Sequence, residues 1–276
     1  MEKESLERMS IWSHIDALRS LLLRSAAVLT LFAIALFSIM PRLFDNVVLA
    51  PGRGDFFLYR WLGTIAADNP LMPDLAPDPA FNVQLININL ASQFFTHMTA
   101  SLWAALVLSF PVIMVLVWQF IAPALYRGER RSVVKAFIFG TLMFYLGVVV
   151  GYSLVFPITL RFLAEYQLSS QIVNQISLDS YMDNFFMLIL MMGIVFELPM
   201  LAWLLGKIGI LKRDFFTKFR RHAIVVLLIL AAVITPTGDP FTLMVVFLPV
   251  YMLWEGSALL TPRPYVRRYK ADVETE

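Results

Sequence analysis

The sequence contains four apolar stretches that are each long enough to cross a membrane as a helix. About 20 residues, at roughly 1.5 Å of rise each, suffice to cross a hydrocarbon core of ~30 Å. The four stretches are residues 21–40, 94–121, 136–157 and 185–205. Two further stretches, 223–234 and 241–254, correspond to only about 18 and 21 Å of helix. Since 59% of the residues are apolar and 15% are charged, the chain is predicted to be an integral membrane protein.

Basic residues are distributed unevenly between the loops that join these stretches. The chain has 22 Lys and Arg. Eighteen of them lie in four places: before or at the start of the first stretch, and after the second, the fourth and the last stretch. The four others are Arg42, Arg53, Arg60 and Arg161. Because cytoplasmic loops carry the excess of basic residues, both termini are predicted to be cytoplasmic, which requires that the two short stretches also cross. We therefore predict an all-α integral membrane protein with six transmembrane helices in a concave bundle, of which the last two are short.

The predicted domain organisation has one membrane domain and a tail. Residues 1–260 are predicted to form the membrane domain, and residues 261–276 a cytoplasmic tail with both basic and acidic side chains. The external loop over residues 41–93 is predicted to contain a short amphipathic helix near residues 56–67 and no independent domain.

The segment before the first span has the apolar period of a helix. Apolar side chains recur every three or four residues at Met9, Trp12, Ile15, Leu18 and Leu22. This spacing predicts a lead-in helix that lies along the cytoplasmic surface of the membrane.

Several kinds of chemistry are excluded by what the sequence lacks. Without cysteine there are no disulfide bonds and no thiolate metal sites. His14, His97 and His222 lie on separate segments, and none has a His or Glu at the spacing of a metal pair. No glycine-rich phosphate loop or intramembrane protease motif is present, and a net charge of +2 is too balanced for nucleic-acid binding. The chain is therefore predicted not to be an enzyme and to have no metal, no cofactor and no nucleic-acid partner.

Glu197 is an acidic residue inside the fourth apolar stretch, two residues before Pro199. An ionised carboxylate in a membrane is costly unless it is hydrated, paired or protonated. Pro199 is expected to kink the helix beside it. In the functional interpretation, the carboxylate lies on a wet concave surface within the membrane. In the structural interpretation, it only makes a polar contact within the protein. The cost of placing the charge there favours the functional interpretation.

Glu129 is the only acid in the strongly basic loop over residues 126–131, which follows the second stretch. Composition alone favours a role in local charge balance. Alternatively, the carboxylate is the acceptor for a guanidinium group, which it can bind through two charge-assisted hydrogen bonds. Asp16 is the only other acid that is placed to join it at the predicted cytoplasmic face.

A series of motifs runs in a fixed order along the chain. The most specific run comprises Phe110-Pro111, residues 118–126 and Glu129-Arg130-Arg131. The others are His14 with Leu18-Arg19, Phe156-Pro157, residues 196–199, Thr235-Pro236 with Asp239-Pro240, and Leu248-Pro249 with Glu255. Together they resemble the motifs of TatC, the polytopic subunit of the twin-arginine protein translocase. The resemblance covers residues 10 to about 260.

The resemblance implies a six-helix concave receptor for the twin-arginine signal peptides of folded precursor proteins. Such a receptor lies in the cytoplasmic (inner) membrane of a bacterium, and the proton-motive force drives the transport. The resemblance also implies single-span partners of the TatA and TatB types, contact with the lipid bilayer, and further copies of the chain within a larger complex. By the same resemblance, the signal-peptide site includes Glu129, Phe120, Leu125 and Arg131. The intramembrane groove and the partner contacts include Glu197, Pro199, Phe94 and Asp239.

One position departs from the family motif. The family has a glutamate directly before Leu-Arg, where this chain has Ala17, and Asp16 lies one residue earlier. Asp16 is therefore predicted to be a weaker helper of Glu129 in the signal-peptide site.

A competing interpretation is a proton-coupled secondary transporter of a small solute, in which Glu197 carries the proton. This interpretation explains the intramembrane acid. It explains neither the motif around Glu129 nor the shortness of the last two apolar stretches.

Overall fold

A computed structural model gives the fold and describes residues 2–67, 81–122, 130–169, 171–172, 174–207 and 210–261. Most of these residues are helical. The elements in chain order are α1 (Glu2–Leu43), α2 (Phe57–Ala67), β1 (Leu85–Ile86), α3 (Ser92–Ile121), α4 (Arg130–Val150), α5 (Phe156–Glu165), β2 (Ile176–Ser177), α6 (Leu178–Val195), α7 (Leu198–Lys207), α8 (Arg213–Lys218), α9 (Arg220–Ile234) and α10 (Pro240–Leu260). Single π-helical turns follow α1 at Phe44–Val48 and join α4 to α5 at Gly151–Val155.

Within the described residues, five segments are long and apolar enough to cross a membrane. They are Ile15–Gly52, Ser92–Ile121, Val133–Glu165, Leu178–Lys207 and Pro240–Leu260. The chain is therefore a multi-pass membrane protein.

The last two helices differ in length. α9 has 15 residues, or about 22 Å, which is short for an ordinary bilayer. The prediction that the final helix is short is wrong, because α10 has 21 residues, or about 31 Å. The apolar stretch ends at Trp254, but the helix continues through Glu255 to Leu260. The charge of Glu255 is compensated by an ion pair with Arg220 on α9.

The predicted surface helix before the first span is not a separate element. α1 is a single helix of 42 residues from Glu2 to Leu43. The sequence has neither Gly nor Pro before Pro41 to interrupt it. The side chains of Ile15, Leu18 and Leu22 are all exposed.

Prolines inside two of the spans free backbone carbonyls that neighbouring helices satisfy. Pro41 has no N–H to donate to the carbonyl of Phe37. His97 Nε2 on α3 lies 2.8 Å from that oxygen, and its ring stacks on the Phe37 ring at 3.9 Å. In the same way, Pro111 cannot donate to Val107, and the Tyr145 hydroxyl donates to that carbonyl at 3.2 Å. In both cases the carbonyl that the proline leaves without its helical donor is thus bonded to a second helix.

Glycines of α4 and of the turn after it allow α6 to approach closely. A Cβ on Gly147 would lie 2.5 Å from the carbonyl oxygen of Met192 and 2.7 Å from Cβ of Phe196. A Cβ on Gly151 would lie 3.0 Å from Cα of Ile189. Small residues at helix–helix contacts in membranes let the two backbones approach closely and pack against each other. The span Leu178–Lys207, which comprises α6 and α7, is accordingly the most buried of the five candidate spans.

The segment that follows α1 packs onto one end of the bundle. α2 covers residues 57–67, as against the predicted 56–67, and Phe56 and Tyr59 pack against Tyr152 and Ile158. The buried Tyr59 hydroxyl lies 2.9 Å from the carbonyl of Pro51 and 3.0 Å from that of Pro157, and shares its proton between them. Burial raises the pKa of this hydroxyl well above its ordinary value, so Tyr59 remains a donor.

A second contact at this end was not predicted. β1 pairs with β2 in parallel, with Leu85 opposite Ile176. Beside this pair, the Asp179 carboxylate accepts hydrogen bonds from the Ser92 hydroxyl and the Asn89 side-chain amide. These bonds join the beginnings of α3 and α6.

Candidate functional site

Glu197 lies at a break between two helices. α6 ends at Val195 and α7 begins at Leu198. The N–H of Phe196 bonds to the carbonyl of Met192, and the N–H of Glu197 bonds to that of Ile194. Pro199 has no N–H to donate to Val195, so the hydrogen-bond ladder also lacks this bond where α7 begins. The kink predicted beside the carboxylate is therefore a break of two residues.

The carboxylate of Glu197 points into the protein. Both of its oxygens are buried, and neither has a hydrogen-bond partner among the described residues. Gly140 on α4 makes room for it, since a Cβ there would lie 2.7 Å from Oε2 of Glu197 and 3.0 Å from Cε of Met200. In this conformation the carboxylate does not face an open surface, and the wet surface around it stays a prediction. A carboxylate without partners in such a place needs a proton or a partner group to offset the loss of hydration.

An apolar groove runs beside the helix break. It has a volume of about 670 Å³ and lies between α10 and the segment from Val150 to Ile158. Phe196, the neighbour of Glu197, contributes to its lining. Along α10, Met244, Leu248 and Met252 are 55%, 53% and 63% exposed, and a spacing of four residues places them on one face. Because the lining side chains are apolar, the groove offers no polar path to a solute and does not favour the transporter interpretation.

The predicted signal-peptide residues are described only in part. Glu129 and Leu125 lie outside the described residues, and Arg131 is described only as a backbone position in the first turn of α4. Ala17 of α1 and Phe120 of α3 line one small cleft together. Asp16 is exposed and does not line that cleft.

Neither Phe94 nor Asp239 lines the groove beside Glu197, although Phe241, two residues after Asp239, does. Phe94 is 59% exposed in the first turn of α3, next to Phe95 at 61%. Asp239 caps α10, because its carboxylate accepts the N–H of Thr242 at 2.7 Å and the hydroxyl of Thr237 at 2.6 Å. Partial burial raises the pKa of this carboxyl, but the hydrogen bonds from Thr237 and Thr242 outweigh burial and lower its pKa overall.

Asp239→Ala is expected to destabilise the protein by about 1 kcal/mol through loss of the cap, and Asp239→Asn to restore most of that stability. Since the folded-state pKa is lowered, the stabilisation is present above the ordinary carboxyl value of 3.8 and is lost as the pH falls below it. Thermal unfolding of the purified variants measures both effects. If Asp239→Asn is as unstable as Asp239→Ala, the cap is not the main role of this residue.

Two features of the bundle depend on contacts between distant parts of the chain, which the local sequence does not reveal in full. Gly140 matters only because α4 packs against the α6–α7 break, and an isolated glycine in an apolar stretch does not reveal that. Glu255 accepts hydrogen bonds from Arg220 at 2.6 Å and from the Tyr251 hydroxyl at 3.1 Å. The four-residue spacing of Tyr251 and Glu255 could have indicated one of these bonds, but the ion pair requires the α9–α10 hairpin.

Comparison with known proteins gives a consistent result. The model of the family described as TatC, Sec-independent protein translocase protein, matches residues 13–249. A protein named Sec-independent protein translocase protein TatC from Blattabacterium sp. subsp. Periplaneta americana is 31% identical over 259 residues, which are 94% of this chain and 97% of the relative. A protein of the same name from Koribacter versatilis is 31% identical over 99% of this chain and 93% of its own length.

Solved structures agree with the sequence comparisons. A structure described as the crystal structure of twin arginine translocase receptor TatC superimposes with a TM-score of 0.69 at 26% identity. The superposition covers 90% of this chain and 97% of the other. A second crystal structure of that receptor, in the detergent DDM, gives a TM-score of 0.70 at the same identity.

Proposed function

Because the chain belongs to the TatC family of Sec-independent protein translocase proteins, we propose that it is the signal-peptide receptor and core subunit of a twin-arginine translocase. In this proposal the protein lies in the cytoplasmic membrane of a bacterium, and the proton-motive force drives its export of folded proteins. The observation that carries the proposal is the family match over residues 13–249, which includes Asp16, Glu129 and Glu197.

Transport of a folded reporter protein tests this function. Inverted membrane vesicles that contain the chain and its single-span partners are expected to import a reporter with a twin-arginine signal peptide. An uncoupler should abolish import, whereas removal of ATP should not. Import that survives the uncoupler but requires ATP would contradict the proposed energy source, and equal import of a reporter with a Lys-Lys signal would contradict the receptor role.

Six membrane crossings are part of this proposal, with α9 as the short fifth crossing between α7 and α10. The absence of native cysteine allows single cysteines to report the topology. We expect Gln171→Cys and Gly238→Cys to react with a membrane-impermeant maleimide from outside, and Thr217→Cys to remain protected. All three positions are exposed, so burial cannot explain protection. If position 238 is labelled only from the inside, α9 and α10 do not cross the membrane as a hairpin, and the six-helix arrangement is wrong.

The apolar groove along α10 is the proposed docking surface for the single-span partners of the TatA and TatB types. Its exposed stripe at Met244, Leu248 and Met252 matches the apolar side of a partner helix. The carboxylate of Glu197 is buried and does not line this groove, so it would have to turn past Phe196 to accept a hydrogen bond from a polar side chain of that helix. Further copies of the chain would join the same complex.

Glu197→Ala is expected to weaken partner docking without preventing insertion or signal-peptide binding, because only the hydrogen bond at the helix break is lost. The measurement is disulfide crosslinking between Leu248→Cys and single cysteines along the partner helix. Asp183→Ala is the matched control, because Asp183 is an exposed acid on α6. If Glu197→Ala crosslinks as efficiently as the control, Glu197 does not contact the partner.

A further inference from the structure

A cavity of about 430 Å³ lies where α1 ends and α3 begins. The π-helical turn after α1, the strand β1 and the first turns of α3 all contribute to its wall. None of the lining residues is Lys or Arg, and Asp45 is the only Asp or Glu among them. The polar side chains of the wall are those of Asp45, Asn87, Gln93, Thr96 and His97.

Four of these polar side chains are available to a ligand. Within the described part of the chain, no hydrogen bond or ion pair uses the side chains of Asp45, Asn87, Gln93 or Thr96. Arg53 donates a hydrogen bond to Asp45 at 2.9 Å, but the acceptor is the backbone carbonyl. The cavity therefore presents one carboxylate, which only accepts hydrogen bonds, and two amides and a hydroxyl, which can also donate them.

An apolar groove of about 340 Å³ adjoins this cavity. It lies between α1, α3, α4 and α6, and Met40 contributes to the walls of both spaces. One face of α3 also lines both, because residues three or four apart lie on the same side of a helix. Along that face the residues of the cavity are Gln93, Thr96 and His97, and those of the groove include Ala100, Ala104 and Val107. The wall thus changes from polar to apolar along the axis of a membrane-spanning helix.

This change in polarity matches a phospholipid, which has a polar headgroup at the membrane surface and acyl chains below it. The charge of the lining selects the headgroup. An ammonium group can donate charge-assisted hydrogen bonds to the Asp45 carboxylate. The phosphate beside it can accept from the amides of Asn87 and Gln93 and from the Thr96 hydroxyl. A headgroup with only negative charge would be repelled by Asp45 and would find no basic side chain in the lining.

We propose that the cavity and the groove together bind one molecule of phosphatidylethanolamine. Its ammonium group contacts Asp45, its phosphate lies at Asn87 and Gln93, and one acyl chain lies in the groove. No residue that lines either space belongs to the predicted signal-peptide site or to the groove along α10. The lipid site therefore does not depend on the proposed receptor function. The bound lipid fills space that the side chains of α1, α3 and α6 leave open.

Native mass spectrometry of the purified full chain in detergent tests the headgroup. The chain is titrated separately with phosphatidylethanolamine, phosphatidylcholine and phosphatidylglycerol that carry the same acyl chains. We expect phosphatidylethanolamine to bind about tenfold more tightly than phosphatidylglycerol. It should also bind about threefold more tightly than phosphatidylcholine, whose quaternary ammonium group has no N–H to donate.

Asp45→Asn is expected to lose about fivefold in affinity for phosphatidylethanolamine and to lose no affinity for phosphatidylglycerol, because only the ammonium group needs the carboxylate. Asp55→Asn is the matched control and should lose less than about twofold. Asp55 is exposed on the same segment after α1 and lines neither the cavity nor the groove. Asp45 is also exposed, so its substitution leaves the fold intact.

Leu108→Gln tests the groove independently of the headgroup. Leu108 lines the groove and is 48% exposed. A polar side chain there removes apolar contact with the acyl chain, so affinity for all three lipids should fall by about fivefold without a change in their order. Leu102→Gln is the matched control, since Leu102 lies on the same helix, is also 48% exposed and does not line the groove. It should leave all three affinities within about twofold.

Three results would overturn the proposal. The first is equal affinity for phosphatidylethanolamine and phosphatidylglycerol in the unmodified chain. The second is an equal loss of phosphatidylethanolamine binding, or no loss, in Asp45→Asn and Asp55→Asn. The third is an equal loss, or no loss, in Leu108→Gln and Leu102→Gln. Melting temperatures that match that of the unmodified chain show that the losses reflect binding and not unfolding.

Discussion

Gly147→Ala is expected to destabilise the protein by about 1–3 kcal/mol or more, the range for overpacking a close-packed core. The new Cβ would lie 2.5 Å from the carbonyl oxygen of Met192 and 2.7 Å from Cβ of Phe196. The nearest atom belongs to the backbone of α6, so no side-chain rotation relieves the contact and the two helices must separate. Because Phe196 adjoins Glu197, this separation also disturbs the helix break. The melting temperature of the purified protein measures the effect.

Gly256→Ala is the control for this prediction. Gly256 also lies within a helix, α10, but a Cβ there would have nothing within 4 Å. Alanine favours a helix over glycine by roughly 0.5–1 kcal/mol, so Gly256→Ala should leave stability unchanged or slightly raise it. If Gly147→Ala melts at the same temperature as Gly256→Ala, α4 and α6 do not pack as closely as the structure has them.

Glu129→Gln is expected to weaken binding of a twin-arginine signal peptide by about 1.5–3 kcal/mol, the range for a hydrogen bond to a charged group. The proposed role of Glu129 is to accept the arginine pair, and its neutral analogue keeps the shape but loses the charge. Asp16→Asn should cost clearly less, because Asp16 is exposed and does not line the cleft that Ala17 and Phe120 share. Peptide affinity in nanodiscs at fixed salt is the measurement, since screening changes both values.

The relative effects of the two substitutions decide the arrangement of the site. Ala17→Glu, which restores the family residue, should strengthen binding or leave it unchanged. If Asp16→Asn is as damaging as Glu129→Gln, the acidic position before Leu-Arg has shifted by one residue, and the assigned ranking of the two acids is wrong.

Much of the helical architecture could be predicted because apolar length is a local property of the sequence. A long uncharged stretch such as 136–157 must be helical in a bilayer, since its backbone groups have no other partners there. The end of α10 could not be predicted this way. Its last turns contain Glu255, which stays in the helix through an ion pair with Arg220 that forms only when α9 folds beside it.

The same distinction holds for the candidate site. Glu197 and Pro199 are visible in the sequence because a charge and a proline are unusual within a span. The direction of the carboxylate was not predictable, because it depends on Gly140 of α4 making room for it. Likewise, Asp239 was recognised through its motif, but its cap on α10 depends on the local path of the chain through Gly238, which has a φ of 59°. Only glycine adopts such a backbone conformation easily.

The central claim, that this member of the TatC family is a receptor for twin-arginine signal peptides, is tested most directly by one comparison of affinities. The purified chain in nanodiscs is titrated with a signal peptide that carries an Arg-Arg pair and with the same peptide carrying Lys-Lys. Both peptides have the same charge, but only the planar guanidinium groups bind a carboxylate through two parallel hydrogen bonds. The proposed function predicts that the Arg-Arg peptide binds at least about tenfold more tightly. Equal affinities for the two peptides would contradict it.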